Sequence, residues 1–111
     1  MGNRVVMQCV DASGNFGPVV YGHWSGEDTP EIIRRFTRRM QGRDNDIEYA
    51  TARLVQEMCN GADGNTGFGC WNADHILNEA DSHGDAGVVL IDVSNGFSPT
   101  YFGGYLAARA A

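Results

Sequence analysis

The apolar residues of this chain form short runs separated by glycine, asparagine and aspartate, and these runs predict β-strands. The first two runs, residues 4–10 and 18–24, are joined by a segment with turn chemistry, so we expect a β-hairpin with a long loop. A short strand is expected over residues 68–72. The polar and acidic segment 73–85 has no periodicity that predicts an element.

The clearest strand pattern comes after that segment. Residues 86–93 are β-branched and nearly all apolar, which predicts a strand that is buried on both faces or central in its sheet. Asn95 and Gly96 both tolerate positive φ, so they predict a tight turn, after which residues 97–106 return as the partner strand. Pro99 cannot donate a backbone hydrogen bond, which indicates that this partner lies at the sheet edge.

Two helices are expected between the second and third strands. For the first, we predict that Thr29 caps free backbone amides, that Pro30 takes the first helical position and that Gly42 ends the helix. For the second, Asn45 and Glu48 have the spacing of a capping box. Each helix has an apolar stripe at helical spacing. The stripes are Ile32, Ile33, Phe36 and Met40 in the first helix and Ile47, Ala50, Thr51, Leu54, Val55 and Met58 in the second.

The resulting order, ββααβββ, predicts an α+β fold with a mostly antiparallel five-stranded sheet and two helices packed on one face. A chain of 111 residues has the size of one domain, so residues 1–111 are expected to form a single α+β domain. The hydrophobic fraction of 42% supplies enough apolar surface for a core and excludes a disordered chain.

The expected location is the cytoplasm. No apolar run approaches the roughly 20 residues of a membrane-spanning helix, and the first residues lack the apolar stretch of a secretory signal. We therefore expect no membrane partner. Cys9, Cys59 and Cys70 are odd in number and far apart, which is typical of reduced thiols, although an exposed one could join two copies under oxidising conditions.

The charge is unevenly distributed along the chain. Residues 1–53 contain seven arginines and seven carboxylates, whereas residues 54–111 contain seven carboxylates and one arginine, Arg109. With a net charge of −6 and no lysine, the protein is not expected to bind nucleic acid directly, because the carboxylates of its C-terminal half repel phosphate, unless the five arginines between positions 34 and 43 act alone. The arginines between positions 34 and 43 could contact an acidic partner or form only the solvated side of a helix.

The sequence contains no catalytic, metal or nucleotide motif. Its histidines and cysteines lack the spacings of a zinc site, and residues 63–74 match a calcium loop only in part, because Phe68 occupies the glycine position. The glycine-rich segments lack the lysine of a phosphate loop. We therefore predict no catalytic residue, no metal ligand and no cofactor. The alternative is a small enzyme that uses His23, or the region of His75 and His83, for proton transfer.

The most distinctive run is Tyr21-Gly22-His23-Trp24-Ser25-Gly26, which lies between a strand and a helix, where binding sites are common. In a functional interpretation, Tyr21 and His23 belong to a binding site. In a structural interpretation, these two side chains alternate onto one face of the strand and Trp24 fills the core under the first helix. The sequence leaves both interpretations open.

Three motifs carry a resemblance to known proteins. They are Val20-Tyr21-Gly22-His23-Trp24-Ser25-Gly26, which Pro30 and the first helix follow, Asp46-x-x-Tyr49-x-x-Ala52-Arg53-Leu54, and Thr66-Gly67-Phe68-Gly69. Through these motifs, residues 18–69 resemble small phage and prophage proteins of unassigned function. The resemblance implies no activity, but it places the chain among phage accessory proteins, which include anti-defence inhibitors such as anti-CRISPR proteins.

The resemblance, the acidity and the lack of catalytic motifs together favour a non-catalytic phage-type inhibitor of the anti-CRISPR kind, acting in the host cytoplasm as a monomer or homodimer. Its expected partner is a host protein or ribonucleoprotein complex, with a CRISPR effector as the first candidate. The acidic surface would mimic DNA and block DNA binding. The predicted partner-binding residues are Asp63, Asp74, Glu79, Asp81, Asp85, Tyr21 and His23. A phage structural or accessory protein is a further alternative.

Overall fold

The structure, a computed structural model, describes residues 2–62 and 64–110. Strands β1 (Val5–Val10) and β2 (Phe16–Gly22) form the predicted hairpin and are followed by helices α1 (Thr29–Arg39) and α2 (Ile47–Met58). Then come strands β3 (Phe68–Trp71), β4 (Gly87–Asp92) and β5 (Ser98–Phe102) and a third helix, α3 (Tyr105–Ala110). The α+β class and the five strands are confirmed, whereas the predicted order ββααβββ omits α3.

The five strands form one mixed sheet in the order β3-β2-β1-β4-β5. Neighbouring strands pair antiparallel except β1 and β4, which are parallel and place Val5 opposite Gly87 and Val10 opposite Asp92. The prediction of a mostly antiparallel sheet is therefore wrong. Strand β3 runs in the same direction as β4, so the chain must return along the whole sheet between them. Residues 72–86, here called the crossover, make that return.

Alternation along the strands divides the side chains between two faces of the sheet. On the helix-covered face, Val5, Met7 and Ile91 pack against α1 and α2 in the main core, so the prediction of two helices on one face is confirmed. On the loop-covered face, a smaller apolar cluster contains Val6, Val19, Leu77 and Val88. Because Leu77 belongs to the crossover, this irregular segment covers part of the face that has no helix.

Both helices begin close to where the sequence predicts, but the structure corrects both predicted caps. Asp46 rather than Asn45 caps α2, and its side chain accepts a hydrogen bond from the backbone N–H of Tyr49. Asn45 instead has a φ of 62°, a left-handed conformation that asparagine tolerates and that ends the preceding turn. At α1, Thr29 is fully buried and its hydroxyl donates to the backbone oxygen of Ser25 at 3.3 Å, so it does not cap the helix.

The predicted strand over residues 97–106 is too long, because β5 ends at Phe102. Gly103 follows with a φ of 65°, and Gly104 packs so closely on Ala86 that a Cβ there would lie 2.3 Å from the carbonyl carbon of Ala86. The two glycines turn the chain from β5 into α3. This turn depends on a contact between residues distant in sequence, which local periodicity does not reveal.

Two other predictions about this part of the sheet are confirmed. Strand β4 lies between β1 and β5, and both Val88 and Val89, which face opposite sides, are fully buried. Strand β5, which contains Pro99, lies at the edge. In the part of the chain that the structure describes, no helix combines the length and the apolar character needed to cross a membrane.

Candidate functional site

The candidate site begins at the β2–β3 end of the loop-covered face. Tyr21 in β2 lies on the same face as Val19, which pairs with Trp71 of β3. The rings of Tyr21 and Trp71 therefore meet on this face, with centroids 5.8 Å apart. The short edge strand β3 gives Trp71 no neighbour on its outer side, so 43% of its surface stays exposed.

The crossover adds an imidazole to this pair of rings. His83 lies parallel to Trp71, with an interplanar angle of 11° and centroids 6.1 Å apart, and its ring is 5.2 Å from that of Tyr21. A cavity of about 120 Å³ opens beside these rings and reaches the small apolar cluster at Val6 and Leu77. His83 thus joins the crossover to the strands at an exposed position.

The distinctive run after β2 extends the same set of rings. The Tyr21 hydroxyl and His23 Nδ1 share a hydrogen bond of 2.7 Å, so these two side chains do lie on one face. The ring of His23 meets Trp24 edge to face at 4.5 Å, and the backbone N–H of His23 donates to the oxygen of Gly67. We call the continuous set of rings the aromatic surface. It comprises Tyr21, His23, Trp24, Trp71 and His83.

Trp24 overturns the structural interpretation of this run. It does not fill the core under α1, because 60% of its surface is exposed. Ser25 and Gly26 are the buried residues here, and the backbone N–H of Gly26 donates to the oxygen of Asn3. The tight packing of these small residues leaves no room for an indole beside them, so Trp24 projects outward.

A second cluster lies on the crossover, around His75. Its Nε2 is 2.9 Å from a carboxylate oxygen of Asp81, and its Nδ1 shares a hydrogen bond with Asp74. The hydrogen bonds to Asp74 and Asp81 raise the pKa of His75, which favours the imidazolium form. The bond to His75 in turn lowers the pKa of Asp74, and the backbone N–H of Asn78 is the main cause of the lowered pKa of Asp81.

The contacts of His75 join residues within the crossover. When its imidazole is protonated, both ring nitrogens donate, to Asp74 and Asp81, and neither has a lone pair with which to accept a proton. Among the described residues, its side chain has no hydrogen bond with a serine or cysteine. Cys9 is buried, and burial raises the pKa of its thiol to about 12, which favours the thiol over the nucleophilic thiolate at neutral pH. Cys59 and Cys70 are exposed and free.

The residue that positions the crossover, Gln8, is one that the sequence analysis did not single out. Gln8 is fully buried on the loop-covered face. Its Nε2 donates to the backbone oxygens of Gly17 and His75, both at 3.1 Å, and its Oε1 accepts from the backbone N–H of Leu77 at 2.8 Å. The signal in the sequence is a single polar residue within the apolar strand β1, since a buried amide needs partners.

The predicted acidic residues do not form one group. Asp74 and Asp81 are together at His75, whereas Asp85 pairs with Arg4 at 2.8 Å, and this hydrogen bond lowers the pKa of Asp85. Glu79 is exposed in a short 3-10 turn, Glu79–Asp81. Asp63 lies outside the described residues. Of the predicted residues, the structure therefore joins Tyr21 with His23 and Asp74 with Asp81. It adds Trp24, Trp71 and His83 to the site.

Within residues 2–62 and 64–110, no group of three or more His, Cys, Asp or Glu side chains is arranged to hold a metal ion. Comparison with protein-family models, with curated proteins and with solved structures found no match. The interpretation of the site therefore depends on its own geometry: exposed rings at one end of the sheet, with carboxylates on the adjoining crossover.

Proposed function

We propose that the protein is a non-catalytic inhibitor that binds a host protein through the aromatic surface. The observation that carries this proposal is the continuous contact of five rings, two of them exposed tryptophans, at one end of the loop-covered face. Tryptophan and tyrosine dominate many protein interfaces because they bury large areas at a small cost in side-chain entropy. When such rings are exposed in the free protein, they favour association with another protein.

The charges next to the aromatic surface indicate the chemistry of the partner. Asp74 and Glu79 are exposed on the crossover, and Asp81 is partly exposed there. An interface with an apolar centre and a negative rim is complementary to a partner that surrounds an apolar patch with arginine or lysine. Such basic surfaces are typical of proteins that hold nucleic acid.

DNA mimicry by the acidic stretch is the weaker part of the original prediction. Asp85 is paired with Arg4, and Asp74 and Asp81 share His75, so each of these carboxylates has a positive neighbour when His75 is protonated. This pairing reduces the negative potential that a mimic of phosphate requires. We therefore propose the aromatic surface as the centre of the contact and the carboxylates as its rim.

The partner class that we propose is the one implied by the phage resemblance: a host defence nucleoprotein complex in the host cytoplasm, with CRISPR effector complexes as the first candidates. To test this, purified effector complexes are mixed with the protein, and co-elution in size exclusion and loading of target DNA are measured. We expect the protein to co-elute with an effector and to reduce its DNA loading.

The matched variants are Trp24→Ala/Trp71→Ala and Phe16→Ala. Phe16 is another exposed aromatic residue, located at the opposite end of β2 from Tyr21. We expect the double variant to lose co-elution and inhibition and Phe16→Ala to keep both. Absence of binding to every effector, or equal binding by the double variant, would contradict the proposal. Light scattering on the same column tests the predicted monomer or homodimer.

A further inference from the structure

Three arginine side chains converge on the helix-covered side of the molecule. Arg35, Arg38 and Arg39 follow one another at the i, i+3 and i+4 spacing of α1, which places them on one side of that helix. Together with Glu57 and Asn60 from the end of α2 and the turn after it, they line an open cavity of about 320 Å³. We call this cavity the arginine pocket.

Glu57 forms the floor of the arginine pocket. Only 3% of its surface is exposed, although it is a carboxylate. Arg35 Nε donates to Glu57 Oε1 at 2.9 Å, Arg39 Nε donates to Oε2 at 2.5 Å, and Arg35 also donates to the backbone oxygen of Glu57. These bonds hold two guanidinium groups in a fixed orientation, as supporting groups do in built binding sites.

The ionisation of Glu57 follows from the same contacts. Burial by itself raises the pKa of this carboxyl, but hydrogen bonds from Arg39 and Arg35 outweigh burial and hold the pKa below its usual value. Glu57 therefore remains charged at neutral pH, and both of its oxygens accept hydrogen bonds that orient the arginines.

The arginine pocket contains hydrogen-bond donors without a partner among the described residues, and its net charge is positive. Among the described residues, the side chain of Arg38 makes no hydrogen bond or ion pair, and the two terminal amino groups of Arg39 make none. Three guanidinium groups face one carboxylate in the pocket, so two positive charges are not cancelled there. Glu31 comes within 3.5 Å of Arg35, but it is paired with Arg34.

We propose that the arginine pocket binds the phosphate group of a phosphomonoester. The charge of the phosphate dianion matches the two uncancelled positive charges. Its tetrahedrally arranged oxygens accept hydrogen bonds from the forked N–H groups of Arg38 and Arg39. The cavity is larger than a phosphate, which leaves room for the group to which the phosphate is attached. That group belongs to a small metabolite or to a phosphorylated side chain, and both present the same dianion.

The test is a titration of the isotope-labelled protein with inorganic phosphate at constant ionic strength, followed by NMR of the arginine side chains and of the α1 backbone. Sodium chloride is the reference salt. We expect saturable shifts at Arg38 and Arg39 with phosphate that chloride does not produce. Shifts that grow linearly, or equal shifts with chloride, would overturn the proposal.

The decisive variant is Arg38→Ala, because Arg38 has no partner among the described residues and its removal leaves the bonds of Glu57 intact. We expect it to weaken phosphate binding by about tenfold or more, since a hydrogen bond to a charged group is among the strong ones. Arg34→Ala is the matched control, because Arg34 is paired with Glu31 and lies outside the pocket. If both variants weaken phosphate binding equally, general charge attraction explains the binding, and the proposed phosphate site is contradicted.

Two further ligands separate the sources of the phosphate. A phosphoserine peptide that binds more tightly than inorganic phosphate, with the unphosphorylated peptide inactive, supports a phosphorylated side chain. Equal affinity for peptide and inorganic phosphate supports a small metabolite. A single-stranded oligonucleotide that binds more tightly than either would overturn the proposal, because its phosphodiesters carry one charge each. Trp71→Ala is expected to bind phosphate normally, so failure here and failure of the aromatic surface are distinguishable.

Discussion

On the helix-covered face, Val5, Met7 and Ile91 pack against two helices. On the loop-covered face, the crossover is held by two hydrogen bonds to Gln8, whose side chain also donates to the backbone oxygen of Gly17 in β2. Apolar packing is not directional and grows with the buried area, so it gives the first face a large and continuous core. Hydrogen bonds are directional and need particular partners. The hydrogen bonds of Gln8 therefore hold the irregular crossover over the loop-covered face, although only a small apolar cluster is buried there.

The two coverings have different consequences for binding. Helices α1 and α2 cover one face of the sheet, and their charged sides face solvent. The arginine pocket lies on the charged side of α1. At the β2–β3 end of the sheet, the crossover places His83 against the rings of Tyr21 and Trp71, and it leaves Trp71 exposed and Tyr21 partly exposed. The comparison teaches that one sheet has exposed aromatic rings on the side that the crossover covers and a cluster of arginines on the side that the helices cover, each a product of what covers it.

The largest expected effect concerns the helix-covered core. Phe36 is fully buried and meets Phe97 edge to face at 5.9 Å. We expect Phe36→Ala to lower the free energy of unfolding by about 3–5 kcal/mol, because it removes a large buried ring and leaves a cavity. Phe102→Ala, at a half-buried ring of the loop-covered face, is the matched variant and should cost less. Urea denaturation measures both, and equal losses would remove the proposed difference between the faces.

The next effect concerns the hydrogen bonds of the loop-covered face. Gln8→Leu leaves the oxygens of Gly17 and His75 and the N–H of Leu77 without partners. We expect a loss of about 2–4 kcal/mol, because each buried unpaired group carries a desolvation cost. Hydrogen exchange at Leu77 should accelerate while α1 keeps its protection. Gln56→Leu, at an exposed position of α2, is the control. If both variants behave alike, Gln8 does not hold the crossover.

A smaller effect on the free energy of unfolding is expected from Glu57, and it depends on acidic pH. Its folded pKa lies below the ordinary value of 4.5, so its contribution to stability is complete above pH 4.5 and is lost as the pH falls through the folded pKa. Glu57→Gln should lower the stability at pH 7 by about 1.5–3 kcal/mol, the range for hydrogen bonds to a charged group, and flatten the acid limb of the stability curve. Glu48→Gln removes the same charge from an exposed position on α2 without touching either arginine. An unchanged acid limb in Glu57→Gln would contradict the ionised floor of the arginine pocket.

The smallest effect is expected at His75. Because its folded pKa is raised above 6.5, its contribution to stability is present below pH 6.5 and is lost as the pH rises through the folded pKa. NMR titration of the imidazole measures that pKa directly. Asp81→Asn should lower it, whereas Glu79→Gln, which removes a nearby charge that does not touch His75, should change it less. Identical titration curves in the two variants would show that the Asp81 contact is not formed.

Much of the local structure follows from the sequence. The apolar run at 86–93 predicts a strand buried on both faces, Pro99 predicts an edge strand, and the stripes of α1 and α2 predict two helices on one face. In the candidate site, the alternation of Tyr21 and His23 onto one face is also predictable. These features depend on the order of residues within one strand or helix, and hydrophobic periodicity reports that order.

The remaining features were decided by the tertiary structure. The parallel pairing of β1 with β4, the path of the crossover and the placement of Trp71 against His83 each join residues far apart in the chain. The outward position of Trp24 depends on how Ser25 and Gly26 pack, and the role of Gln8 depends on which segment lies above it. Periodicity specifies which side of an element is apolar, but strand direction and covering segments are selected by the packing of the whole chain.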